Sequence, residues 1–220
     1  LDEPKPLKEE IDFILNNASK YMTIKPSKKD IKSVFTGLRP LASTSNQKST
    51  KEVSRSHKIN ISTTGLISIL GGKWTTYRKI AEDAVDASIS LGGLRKRNCK
   101  TKNLRIHGFR RKVDWDDPLH VYGSDSRKLK SYGSSIDNKS LSKKFFISNN
   151  IIYWSVTKEM AMTVEDVLAR RTRCLFLDST ESLRIAPLVA KKMAEIMEKD
   201  KAWVDEELKK FNTLSKNYKV

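Results

Sequence analysis

Gly65-Leu66-Ile67-Ser68-Ile69-Leu70-Gly71-Gly72-Lys73-Trp74-Thr75-Thr76-Tyr77 is the stretch on which the reading of this chain turns. Its first six residues are nearly all apolar, which predicts a strand buried on both faces. Gly71-Gly72 ends that strand sharply. From Thr75 onward Ile80, Ala81, Ala84, Val85 and Ile89 fall on one stripe at helical spacing, which predicts a helix of about four turns. Just upstream, Lys58-Ile59-Asn60-Ile61-Ser62 alternates apolar with polar and predicts a second strand, joined to the first by a turn at residues 62–65. A helix start preceded by two glycines exposes backbone N–H groups at the positive end of the helix dipole, a place that favours an anion or a developing negative charge. Lys73 adds a full charge there. Taken alone, a Gly-Gly-Lys is as well explained by a tight turn carrying a surface lysine, and the Gly-x-x-x-x-Gly-Lys-Ser/Thr spacing of a phosphate-binding loop is absent.

Toward the amino terminus, Leu7, Ile11, Ile14, Leu15 and Ala18 step by four and three, predicting an amphipathic helix that ends near Tyr21. Ser27 and Asp30 have the form of a capping box with a short acid. The run from Ile31 to Phe35 is short and leads into an extended Leu38-Arg39-Pro40-Leu41, because Pro40 pushes Arg39 out of the helical region. Residues 42–52 are polar and read as a loop. Toward the carboxy terminus Gly92-Gly93 opens a basic, irregular stretch. From Ile151 order returns: Thr163-Val164-Glu165-Asp166 is a helix start, Leu183, Ala186, Ala190, Met193 and Met197 mark a second helix interrupted or begun at Pro187, and Trp203, Leu208 and Phe211 a third. The expected class is α+β, with three parts: residues 1–91, a basic linker and irregular segment over 92–147, and a helical domain over 148–220. The expected core is Ile11, Ile14, Leu66, Ile67, Ile69, Ala81, Val85, Val167, Leu168, Leu175, Leu177 and Met193.

Composition narrows the function. The chain has 220 residues, 38% hydrophobic and 31% charged, enough for one ordinary domain or two small ones and too apolar for a wholly disordered polymer. Its longest apolar runs fall far short of the roughly 18 residues that span a bilayer. The formal net charge is +17, and residues 92–147 hold 15 basic side chains against 5 acidic ones. A run of this kind is often only a solvated face. It lacks the interleaved aromatics of a single-strand platform and the Cys/His spacing of a zinc finger, so specific nucleic-acid recognition is not expected. Anionic lipid headgroups suit the same charge. Cys99 and Cys174 do not form a framework, which fits a reducing, cytoplasmic setting, and no metal site is expected. The first residue is Leu1 rather than methionine, which suggests an engineered start, a processed chain or a piece cut from something longer.

Three cations sit beside elements that would hold them still: Arg39 between Gly37 and Pro40, Arg55 just before a strand, and Lys73 at the strand-to-helix junction. His57 follows Arg55 by two residues and could orient a substrate oxygen or act as a base, or simply lie at the surface. In order and content, Gly37-Leu-Arg39-Pro-Leu41, Ser54-Arg55-Ser56-His57-Lys-Ile59 and Gly65 to Asp83 resemble the carboxy-terminal part of FAD-dependent glycerol-3-phosphate dehydrogenase. Thr157 to Asp178, with its Thr163-Val-Glu-Asp166 and Arg170-Arg171-Thr172-Arg173, resembles the helical domain that closes the same family. The resemblance is good over residues 7–90 and 150–200 and poor over 92–147.

The resemblance implies oxidation of sn-glycerol 3-phosphate to dihydroxyacetone phosphate, with electrons passing through FAD to a membrane quinone, at the cytoplasmic face of the inner membrane. It implies that Arg39 and Arg55 lie near the substrate. Lys73 would join them at its phosphate or at the flavin edge, and Gly71, Gly72, Lys73, Trp74 and Thr75 would form the turn that approaches the isoalloxazine ring. A phosphate dianion buried beside a flavin needs fixed cations. No Gly-x-Gly-x-x-Gly occurs in the sequence, so the element that cradles the FAD pyrophosphate is not found, and the chain is expected to be a carboxy-terminal fragment, inactive alone. Within the enzyme class the alternative is a glycerol-3-phosphate oxidase that uses oxygen. Outside it, the alternatives are a basic module binding nucleic acid or an anionic membrane surface, and a packing domain that contacts the flavin region or another copy of itself as an oligomer.

Overall fold

The computed structural model describes residues 3–38, 56–132 and 138–220. Two compact units emerge, one built from Leu1–Gly37 with Gly108–Val220 and the other from Leu38–His107. The class is α+β, with one two-stranded sheet among the described residues and a mainly helical carboxy-terminal region.

In the larger unit, helix α1 (Lys8–Ala18) begins where Glu10 turns back to accept the Leu7 N–H at 2.9 Å. The Ser27–Asp30 box forms as its spacing predicts, with the Ser27 amide and hydroxyl both donating to Asp30 Oδ2 at 2.8 Å. Residues 31–36 then run extended along the helical part and are stitched to it. Val34 N–H donates to Tyr218 O at 3.0 Å, Ser33 Oγ to Leu175 O at 2.7 Å and Ser179 N–H to Lys32 O at 3.1 Å, while Phe35 packs edge-on against Phe176. These long-range bonds tie the amino-terminal residues to the helical unit across more than half the sequence.

Writing the hairpin's helix Tyr77–Leu91 as α2, the larger unit continues with α3 (Ser126–Ser131), α4 (Asn149–Glu159), α5 (Cys174–Leu177), α6 (Ser179–Met197) and α7 (Lys201–Ser215). Side chains set three of the starts in this region. Asp166 Oδ2 accepts from Met162 N–H, Thr163 N–H and Thr163 Oγ, all at 2.9 Å, and the helical turn that follows widens to π geometry over Asp166–Arg171. Asp178 caps α6 through the Glu181 amide and Asp200 caps α7 through the Trp203 amide, each at 2.9 Å. Helix α6 runs unbroken through Pro187 and starts earlier than its apolar stripe indicates, because the cap at Asp178 sets the boundary. The buried Glu207 carboxylate on α7 accepts the Val164 amide at 3.1 Å, which fixes α7 against the 163–171 turn. The core gathers Leu129, Ile152, Leu168, Leu175, Ile185, Met193 and Phe211.

The smaller unit is a hairpin laid on one helix. Strands β1 (His57–Ile61) and β2 (Ile67–Gly71) pair antiparallel with His57 opposite Gly71 and Ile61 opposite Ile67. Ser62 closes the turn, its carbonyl accepting Gly65 N–H at 3.0 Å and its hydroxyl accepting Leu66 N–H at 2.9 Å. Helix α2 crosses the hairpin. No side chain among the described residues of this unit is fully buried.

Two expectations are corrected here. Strand β2 is not covered on both faces: Leu66, Ile69 and Leu70 are exposed, since among the described residues β2 has a single hydrogen-bonded neighbour and one helix to pack against. Of the expected core, Val167, Leu168, Leu175 and Met193 are buried, Ile11 and Ile67 are half-buried, and Ile14, Leu66, Ile69, Ala81, Val85 and Leu177 are exposed. The helical region adds further core members such as Ile152, Ile185 and Phe211, and the basic stretch adds unexpected ones. Leu119, Leu129 and Ile147 are buried, and Leu129 lies on α3, a helix the scattered apolar residues of that stretch do not announce.

Candidate functional site

The strand-to-helix junction of the smaller unit carries the candidate chemistry. Gly71 and Gly72 both adopt left-handed backbone, with φ +70° and +92°. At Gly72 the requirement is also spatial. A Cβ there would sit 2.7 Å from Ile80 Cδ1 and 3.2 Å from His57 Cβ, so the double glycine is what lets β1, β2 and α2 meet. Lys73 then caps a single 3₁₀ turn, Trp74–Thr76, that runs directly into α2. Its carbonyl accepts both the amide and the hydroxyl of Thr76 at 2.9 Å, and this is the first helical bond of the turn. The amides of Trp74 and Thr75 precede that bond and point out of the helix start, as helix geometry requires. The Lys73 ammonium makes no ion pair with the described residues. The indole of Trp74 stacks on the Tyr77 ring, centroids 5.6 Å apart, and stays 85% exposed. A flat apolar plate, a lysine and two amides that bond no described residue thus stand together at one turn.

His57 lies opposite Gly71 in the ladder and is brought to the same junction. Its Nε2 is 2.9 Å from Asp83 Oδ2 on α2, and the other Asp83 oxygen accepts from Lys79 Nζ at 2.7 Å. The Lys79 hydrogen bond holds the Asp83 carboxyl below its usual range, and His57 adds to the effect against the opposing pull of desolvation. The pair clamps β1 to α2 and leaves His57 Nδ1 as the second ring nitrogen. Further along the helix, Arg78 donates to Glu82 at 2.6 Å and reaches Thr101 Oγ1 at 3.3 Å, which draws residues 99–101 back toward α2.

The structure therefore unites His57, Gly71, Gly72, Lys73, Trp74 and Thr75. Arg39 and Arg55, like Pro40 and the polar loop, lie outside the described residues. Asp83 and Lys79 are the members that sequence reading passes over. Lys79 and Asp83 have the spacing of a helical ion pair, but His57 and Asp83, 26 positions apart, become a contact only once the hairpin register is known.

Residues 62–206 match the family model described as the C-terminal domain of alpha-glycerophosphate oxidase. The chain belongs to that family. Among curated proteins it is similar to the probable mitochondrial glycerol-3-phosphate dehydrogenase of Dictyostelium discoideum, 33% identical over 99% of this chain and 38% of that protein. It is also similar to the mitochondrial glycerol-3-phosphate dehydrogenase of Bos taurus, 29% identical over 93% of this chain and 31% of that protein. Among solved structures, the glycerol-3-phosphate dehydrogenase from Bacillus halodurans complexed with FAD superposes with a TM-score of 0.72 at 25% identity, over 98% of this chain and 46% of that one. The chain thus spans less than half the length of each of these relatives. No helix among the described residues is long and apolar enough to cross a membrane.

Proposed function

We propose that this chain is the carboxy-terminal part of an FAD-dependent glycerol-3-phosphate dehydrogenase, comprising the last part of the flavin and substrate region (residues 1–91), a basic segment (92–147) and a helical domain (148–220). The observation that carries the reading is the Gly71-Gly72-Lys73 junction, set within the span that matches the family. FAD, when bound, supplies a hydride acceptor for C2 of glycerol 3-phosphate and a relay of electrons to quinone. The residues of this chain fit the edge of such a group: the left-handed double glycine lets backbone approach a flat ring, and the Trp74 and Thr75 amides with the Lys73 ammonium can offset negative charge as it develops. Arg39 and Arg55 take the substrate phosphate, with Lys73 joining them there or at the ring edge. Bidentate guanidinium contacts suit a phosphate dianion and fix its orientation. His57, steadied by Asp83 through Nε2, presents Nδ1 as the weaker candidate for orienting or deprotonating the substrate hydroxyl.

With no Gly-x-Gly-x-x-Gly in the sequence, the isolated chain has no turnover and holds FAD weakly or not at all. A working enzyme of this type acts at a membrane face where quinone is available, on the cytoplasmic side. The test is anaerobic. The polypeptide that joins this chain to its flavin-binding portion is loaded with FAD and mixed with glycerol 3-phosphate while flavin absorbance is followed. Bleaching that is abolished in Arg39→Ala, Arg55→Ala or Lys73→Ala supports the substrate and the assigned roles. A flavin-loaded protein that glycerol 3-phosphate does not bleach removes the substrate assignment.

A further inference from the structure

In the larger unit, Arg110, Arg111, Lys112 and Arg127 line one cleft of about 710 Å³ together with Ser124, and no carboxylate of the described residues lines it. The chain segment bearing the first three cations is fixed to the wall opposite. Ser124 N–H donates to Gly108 O at 3.0 Å, and Arg110 Nη1 donates to Ser126 Oγ at 3.2 Å. Gly123 makes this close approach possible, with φ +52° and a position where any Cβ would collide with the Gly108 carbonyl. The neighbouring Asp117 does not line the cleft: it bonds Lys130 Nζ at 2.7 Å and the Leu119 amide at 3.1 Å, which with Lys130's charge outweigh the pull of Arg110 on its carboxyl. Arg111, Lys112 and Arg127 form no ion pair or hydrogen bond with another described residue.

Like charges gathered on a braced backbone, with no carboxylate among the residues that line the cleft, repel one another, and an anion that enters relieves the repulsion at every cation together. Three guanidinium forks beside one ammonium and one hydroxyl match a tetrahedral phosphate better than a carboxylate, because each fork can take two oxygens of one phosphoryl group. We propose that this cleft binds a multiply charged phosphate, either a free polyphosphate or the phosphomonoester of a lipid headgroup. The inference does not depend on the flavin site, which belongs to the other unit.

The test uses the full 220-residue chain and two probes: inorganic pyrophosphate by calorimetry, and vesicles of phosphatidylcholine with or without phosphatidic acid by co-sedimentation. Arg111→Ala/Arg127→Ala removes two exposed cations that hold nothing in place, and Lys191→Ala/Lys201→Ala removes the same charge from outside the cleft. Pyrophosphate affinity that weakens at least tenfold in the first variant and less than twofold in the second, with unchanged circular dichroism, supports a site for free polyphosphate. Sedimentation with phosphatidic acid vesicles alone, lost in the first variant and kept in the second, supports the headgroup source. Absence of both interactions at low salt overturns the proposal, and so does equal weakening in the two variants, which would mean that only net charge matters.

Discussion

Replacing Gly72 with alanine puts the junction under the most direct strain. Two costs add. Alanine held at φ +92° loses about 1–2 kcal/mol to its left-handed backbone. Its Cβ would lie 2.7 Å from Ile80 Cδ1, where carbon contacts prefer about 3.5–4.0 Å. Relieving that overlap needs a shift near 1 Å and costs roughly 1–3 kcal/mol, because Ile80 can rotate away but the His57 Cβ, 3.2 Å from the new carbon, is anchored in the ladder. The total, about 2–5 kcal/mol, is comparable to all that a two-stranded hairpin on one helix can hold. Native-state hydrogen exchange of the amides that pair β1 with β2 is the assay. At about 1.4 kcal/mol per tenfold, exchange should accelerate at least 25-fold or reach the unprotected rate. Ile80→Ala removes the nearer clashing atom, so the double variant should be less damaged than the sum of the singles by roughly 1 kcal/mol or more. Ladder amides that accelerate less than about threefold in Gly72→Ala, or strictly additive effects, would refute the idea that the glycine is needed for the approach of α2.

The core and the exposed leucines should separate cleanly. Leu168→Ala removes three fully buried carbons at about 0.8 kcal/mol each and leaves a cavity, for a loss of roughly 3–4 kcal/mol. Leu177→Ala, at a side chain 59% exposed, should cost less than about 1 kcal/mol, and similar urea midpoints for the two variants would contradict the burial described. Acid should also find a specific weak point. The Arg184 fork, at 2.7 and 3.0 Å, and the Ser142 hydroxyl hold Glu181 down from 4.5 to about 2. Its contribution is complete above pH 4.5 and is lost as pH falls from there toward 2, so Glu181→Gln should flatten the melting-temperature profile in that window while lowering stability at neutral pH. A variant whose profile keeps the wild-type slope would show that other carboxyls set it.

Much of the fold is legible in sequence where a local device writes it. The Ser27–Asp30 box, the Thr163–Asp166 start, the hairpin turn and the apolar stripes of α6 and α7 all act within a few residues, and each forms where its pattern lies, save that the Asp178 cap starts α6 ahead of its stripe. What escapes is long-range. Nothing local says that Lys32, Ser33 and Val34 will bond to residues 175–218, and so nothing local places the amino-terminal helix with the carboxy-terminal unit. Helix α3 escapes for a related reason: Leu129 stands alone among Arg127, Lys128 and Lys130, and only its partner Asn150, whose side chain reaches the Leu129 carbonyl, reveals it as interior. Strand β2 errs in the opposite direction, since an apolar run records that a segment can be buried without recording what covers it. At the junction, glycines and lysine are readable from chain order, whereas the Asp83 clamp on His57 is not.

That no described side chain of the smaller unit is fully buried has a thermodynamic consequence. A hairpin and helix whose described residues include no fully buried side chain gain little from hydrophobic burial, so anything that covers Leu66, Ile69, Leu70 and Trp74 adds its binding energy to their folding equilibrium. Assembly and folding of the unit then become one linked event. Affinity measured for such a covering surface will be smaller than the contact area implies, by the free energy spent in ordering the hairpin. Substitutions inside the hairpin, far from any contact, will change that affinity as surely as substitutions at the interface.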